Sequence, residues 1–160
     1  MQQSMHQSHQ GKGHYGRLLA MAILSLLVMY GLMYAMVDRW SNVFANTNQF
    51  YMAGLMVASM VIIEIALMSG MYPNKAVNAL IVGLSIAVGI FFWFGLRQQI
   101  AISDAQFLKS MVPHHAGAIL MCEKSKLQDP DLQRLCGEIL SSQRREIDLM
   151  QAKLKEIEAK

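Results

Sequence analysis

The sequence predicts an all-α fold made of three transmembrane helices followed by an antiparallel helical hairpin. Three observations carry that prediction. The chain of 160 residues is 54% hydrophobic and only 16% charged, whereas soluble domains usually carry about a quarter charged residues. Between Leu18 and Leu96 only Asp38, Arg39, Glu64 and Lys75 bear charge, while the last third is rich in it. That last third also contains two helix-start signals and a clear amphipathic repeat.

The elements follow in order. Residues 1–16 form a polar leader with Met5, His6, His9 and His14 among Gln, Ser and Gly, and such a composition is expected to stay disordered. The leader reads either as a loose trap for copper or zinc or as a plain polar leader. Residues 17–97 form the membrane domain, with spans over about 18–37, 50–71 and 76–96. Each is near the 20 residues that cross a bilayer's hydrocarbon core. The first is too long for a signal peptide's apolar core and lacks a small-residue cleavage site, so it is read as retained. Trp40 and Trp93 lie at span ends, where amphipathic rings favour the headgroup layer. The short link Ser69–Lys75, with Pro73-Asn74, makes the second and third spans antiparallel neighbours.

Residues 103–158 form the hairpin. Ser103-Asp104-Ala105-Gln106 fits a capping box, in which the glutamine reaches back to the cap. The helix it starts runs to about Lys126 and bends at Pro113. Asp129-Pro130 is a second start, a cap followed by proline at the first helical position. Apolar positions from Leu132 to Ile157 then recur at helical spacing. A lone hairpin buries little, so self-association into a four-helix bundle is the expected remedy, ahead of packing on the same chain's membrane part.

Basic residues flank both ends of the spans almost equally: Lys12, Arg17 and Lys75 on one side, Arg39, Arg97 and Lys109 on the other. Those preceding the first span favour a cytoplasmic N-terminus, which puts the hairpin outside, in the periplasm of a Gram-negative cell. The expected location is thus the bacterial inner membrane. A net charge of +3, thinly spread, gives no reason to expect nucleic acid.

The stretch FLKSMVPHHAGAILMC, residues 107–122, concentrates imidazole and thioether, the ligands that copper(I) prefers. Folding the hairpin about Gln128 brings Met111, His114 and His115 towards Glu146 and Met150. Adjacent helical residues point about 100° apart, so one ion between both histidines needs the Pro113 bend or a second chain. The competing reading packs one histidine against Gln143 and leaves the other in water. Cys122 and Cys136 fall opposite each other near the turn, which suits a disulfide, two thiols in a copper(I) site, or two small core residues. Nine of the 14 methionines lie in the first two spans. Met52, Met56, Met60, Glu64 and Met68 recur every four residues, which reads either as a thioether ladder or as gap-filling packing. Glu64 is the one ionisable residue deep in a span, either functional or protonated and bonded to Ser59, Asn78 or Ser85.

At Met111-Val-Pro-His-His-Ala-Gly-Ala-Ile and Gln143-Arg-Arg-Glu-Ile-Asp-Leu-Met150 the chain resembles the bacterial domain of unknown function 305 family. The resemblance covers about Asp104–Leu154, and the first two-thirds resembles that family's membrane-anchored subset. It implies a ferritin-like helical bundle, here half a bundle, and copper binding like that of its periplasmic CopM-type members. The ligand-bearing residues it implies are Met111, His114, His115, Met121 and Met150, with Asp104, Gln143 and Glu146 as companions. No Glu-x-x-His occurs in the chain, so a carboxylate-bridged di-iron site lacks its material. No Ser–His–Asp set, phosphate loop or zinc-protease motif is present, and the cysteine spacing is far from Cys-x-x-Cys, so no enzyme is expected. The expected function is copper binding at the outer face of the membrane, with zinc as the weaker candidate metal. The expected partners are the bilayer, a further copy of the chain and a copper-handling protein. The rival is a structural or interaction protein whose hairpin docks without metal.

Overall fold

A computed structural model describes residues 2–159, with side chains from Gly13 onward. The described residues form five α-helices and no strand: α1 (Gln2–Leu32), α2 (Thr47–Leu67), α3 (Lys75–Arg97), α4 (Asp104–Lys124) and α5 (Pro130–Glu158). Single 3-10 turns occupy Met33–Met36, Trp40–Asn42 and Ser69–Met71. Three stretches are long and apolar enough to cross a membrane: Gly13–Met36, Thr47–Leu67 and Lys75–Arg97. The all-α prediction therefore holds, with shifted boundaries. The second span starts at Thr47 and closes at Leu67, because Ser69-Gly70 and then Pro73 do not sustain a helix. The helix α1 begins at Gln2, so the leader expected to be disordered continues the first span. It holds no proline to stop it, and a nucleated helix extends at little cost. The side chains of Met5, His6 and His9 lie outside the described residues.

The chain divides into two compact units, one of residues 1–31 and 50–100, the other of 32–49 and 101–160. In the first, α2 is the inner helix: 33% of its apolar window is buried, against 6% for each of the other two. Small residues let α3 approach it closely. Gly95 faces the Tyr51 ring, Gly89 faces Ala58, and a Cβ at Gly54 would collide with the Phe92 ring. Leu18, Val61, Ile65 and Tyr72 form the buried cluster. Outward faces are almost wholly apolar, with Leu24, Leu27, Leu80 and Phe91 exposed. Patches of this extent suit hydrocarbon rather than water. Asn74 caps α3, accepting from the backbone N–H groups of Ala76 and Val77. At the same end the Tyr15 hydroxyl donates to Asn78 Oδ1 at 2.7 Å. The start of the first span thus adjoins the start of the third, as an up-down-up arrangement requires.

In the second unit the hairpin packs against a segment of the same chain. The α4–α5 pair buries Val112, Ala116, Ile119 and Ile147 together with Val37 and Phe44 of the α1–α2 connector. The sequence pattern places that connector in the membrane domain, yet it packs with the hairpin. Its polar groups bond there too: Gln106 Oε1 accepts from Thr47 N and Oγ1, Asn48 donates to Ser110, and Gln151 donates to Asn42 Oδ1. The capping box is accordingly half realised. Ser103 caps α4, but Gln106 serves Thr47 instead of reaching back. Asp129 caps α5, with Pro130 opening that helix as expected. α4 continues through Pro113, which is buried. A proline there leaves the Lys109 carbonyl without its helical donor.

Candidate metal centre

Adjacent residues on α4 meet different surroundings, since a helix rotates about 100° per residue. His115 is buried at 8% exposure, whereas His114 faces outward. Their ring centroids lie 5.9 Å apart. Both nitrogens of His115 are engaged: Nδ1 with the Met111 carbonyl at 2.9 Å, Nε2 with Glu146 Oε2 at 2.7 Å. A carbonyl oxygen only accepts, so the proton on that side belongs to Nδ1. The other ring nitrogen, Nε2, faces the Glu146 carboxylate. The His115 side chain is 10% exposed and that of Glu146 51%, so the pair forms a clasp from the core of the unit to its surface. Its neighbours reinforce the register of α4 against α5, through Arg144 to Glu123 at 2.6 Å and Lys109 to Glu158 at 2.7 Å.

The other predicted positions divide. Met111 contributes its carbonyl, and Met150 packs half-buried against the cluster around Val112 and Ile147. Met121 is 58% exposed and projects away from the core. Asp104 is exposed in the first turn of α4, where a carboxylate complements the helix dipole, and it bonds none of the other candidates. Glu146, rather than Gln143, partners the buried imidazole. Among the described residues, no three of His, Cys, Asp and Glu are grouped as a metal site would need.

Cys122 and Cys136 form a disulfide with Cα atoms 5.4 Å apart. It clasps the hairpin beside its turn and decides among the three readings of the pair. Sulfurs committed to each other are not thiolate ligands.

In the first unit the structure moves Glu64 from mid-span to within one turn of the end of α2. Its partner is the Tyr72 hydroxyl, which donates to Oε1 at 3.3 Å, and not Ser59, Asn78 or Ser85. Burial raises the pKa of the Tyr72 phenol above its ordinary value, and the Glu64 carboxylate beside it adds to the rise. Sequence reasoning missed Tyr72, although an aromatic hydroxyl eight residues from a lone carboxylate was a visible signal.

The chain is 30% identical over 145 residues to "Uncharacterized protein L153" of Acanthamoeba polyphaga mimivirus, covering 87% of this chain and 91% of that protein. No solved structure matches the chain. A family profile described as "Domain of unknown function (DUF305)" matches residues 56–154. That match extends beyond the hairpin motif into α2 and α3. The His-His and Gln-x-x-Glu segments thus sit inside a longer shared pattern, and the chain belongs to the DUF305 family.

Proposed function

We propose that the chain is a membrane-anchored metal-binding protein that holds copper at the outer face of a bacterial inner membrane, for buffering, resistance or transfer. The carrying observation is the paired imidazoles at the point where α4 meets the α5 carboxylate: exposed His114 beside His115, itself 2.7 Å from Glu146. Two imidazoles, a carboxylate and the thioether of Met111 form a donor set suited to a borderline or soft cation. His114, His115 and Met111 would hold it. Glu146 would neutralise charge, and Met150 and Met121 would serve only after reorienting. Copper(I) would use the sulfur and imidazole, and copper(II) the imidazole and carboxylate. Because both His115 nitrogens are hydrogen-bonded, a metal bound there has to displace one of those bonds. The disulfide supports the orientation, since such bonds persist outside the reducing cytosol.

One observation favours a second reading. A histidine with both nitrogens satisfied is complete as a structural clasp, and the hairpin then acts as an interaction module without metal. Copper(I) competition titrations on the full chain separate the two. The metal reading expects copper to bind more tightly than zinc, and His114→Ala with His115→Ala to abolish the hairpin site. Unchanged copper affinity in that double variant would refute it and leave the clasp.

A further inference from the structure

The helix α4 is apolar on two opposite faces. Its inner face carries Val112, Ala116 and Ile119, which the same chain buries. On the other side Phe107, Met111, His114, Ala118 and Met121 recur at alternating steps of four and three, the heptad seam that a second helix covers. Phe107, His114 and Met121 are exposed along it. Apart from histidine, the only charged residue between Asp104 and Glu123 is Lys109, and it pairs with Glu158 of α5. A helix face solvated by water is normally charged. The seam is also self-complementary. His114 is its midpoint, with Phe107 and Met121 each two turns away, about 10 Å along the axis. Antiparallel pairing of two α4 helices sets His114 against its counterpart and bulky Met111 against small Ala118. It sets Phe107 against Met121, a favourable sulfur–aromatic contact. Asp104 and Lys124, both exposed, mark the two ends of α4. The antiparallel sense brings opposite charges to each end, and the parallel sense like charges. Lipid on this face would leave the central imidazole unpaired in hydrocarbon.

From this we infer that α4 packs through this seam, antiparallel, against α4 of a second copy of the chain, and that the two His114 imidazoles hold one copper ion between them. The second copy supplies what one chain lacks. Both nitrogens of His115 are already bonded within its own copy. Among the described residues, no three of His, Cys, Asp and Glu stand together in a single chain. A second His114 adds an imidazole, a ligand that suits copper, without displacing either His115 bond. The inference rests on the copper reading and makes its site intermolecular.

Sedimentation equilibrium of the full chain in density-matched detergent reads association, and dialysis reads copper per chain, with copper(I) alone as the probe and oxygen excluded. Copper(I) should tighten the dimer at least about tenfold, with one ion bound per two chains. His114→Ala, at an exposed position, should abolish that tightening. Lys124→Glu should weaken the metal-free dimer by about threefold, the scale of exposed ion pairs. Adding Asp104→Lys to it should restore association, because the end charges are then exchanged and again opposite. One ion per chain with association unchanged would overturn the shared site and leave the copper reading intact. No copper bound at any protein concentration would overturn both. A chain that stays monomeric with and without copper, or a dimer indifferent to Lys124→Glu, would overturn the antiparallel seam.

Discussion

Removing the disulfide tests how the second unit is held together. Cys122 and Cys136 are 14 residues apart, and closing a loop of that length restricts the unfolded chain by about 3 kcal/mol on the chain-entropy account. Little packing is lost with it, because Cys122 is only half-buried and lies beside the solvent-exposed turn at 125–129. The full term should therefore appear in Cys122→Ala/Cys136→Ala as a loss of about 3 kcal/mol, roughly a hundredfold in the opening equilibrium. Hydrogen exchange on the full chain in detergent measures it by region. Peptides covering Val112, Ala116, Ile119 and Ile147, all buried, should exchange about a hundredfold faster. Peptides of α2 and α3 should not change, because they belong to the other unit. Treating the wild-type chain with a phosphine reductant should reproduce the effect. An acceleration below about threefold, or one shared equally by α2 and α3, would refute the reasoning.

The remaining predictions follow from single contacts. Glu146→Gln should cost no more than about 1 kcal/mol, since its carboxylate is half-exposed. His115→Ala should cost about 2 kcal/mol, since it empties a buried position and unpairs Glu146; denaturant melts of both variants check the order. Gly54→Ala should destabilise the first unit by about 1–3 kcal/mol by pushing the Phe92 ring out of place, seen as faster exchange in α2 and α3 with α4 and α5 unchanged. In a spectrophotometric titration, Tyr72 should ionise above the usual value near 10, and Tyr72→Phe should remove that late step. A phenol whose folded pKa is raised contributes stability that is complete below about 10 and lost as pH rises through the higher folded value. The first unit should therefore weaken in strong alkali, and less so in Tyr72→Phe.

The parts legible in the sequence were those written in short-range patterns. The spans showed as a near absence of charge between Leu18 and Leu96, and the hairpin showed through its caps, Ser103 and Asp129. Folding about Gln128 placed Cys122 opposite Cys136 and His115 near Glu146, because an antiparallel pair with a short turn has little freedom of register. The role of residues 32–49 was not legible, since it depends on contacts distant in sequence. Val37 reads as the end of the first span, Phe44 as a loop residue and Gln106 as a local cap, whereas Val37 and Phe44 pack on the hairpin and Gln106 meets Thr47. The signal was length: a connection of this size without an α-helix of its own is uncommon and usually has a job. The centre itself was half legible. His115 and Glu146 meet, whereas Met121 and Asp104 fit the motif but point elsewhere.

The second unit is assembled from 32–49 and 101–160, and the chain between these segments holds two helices apolar enough to cross a membrane, an even number. Within the first unit the start of the first span adjoins the start of α3, as the Tyr15–Asn78 hydrogen bond requires. Counting basic residues nearly ties between the faces. The disulfide breaks the tie, because Cys122 and Cys136 keep their bond only where thiols are not held reduced. The proposed orientation therefore rests on sulfur chemistry more than on charge.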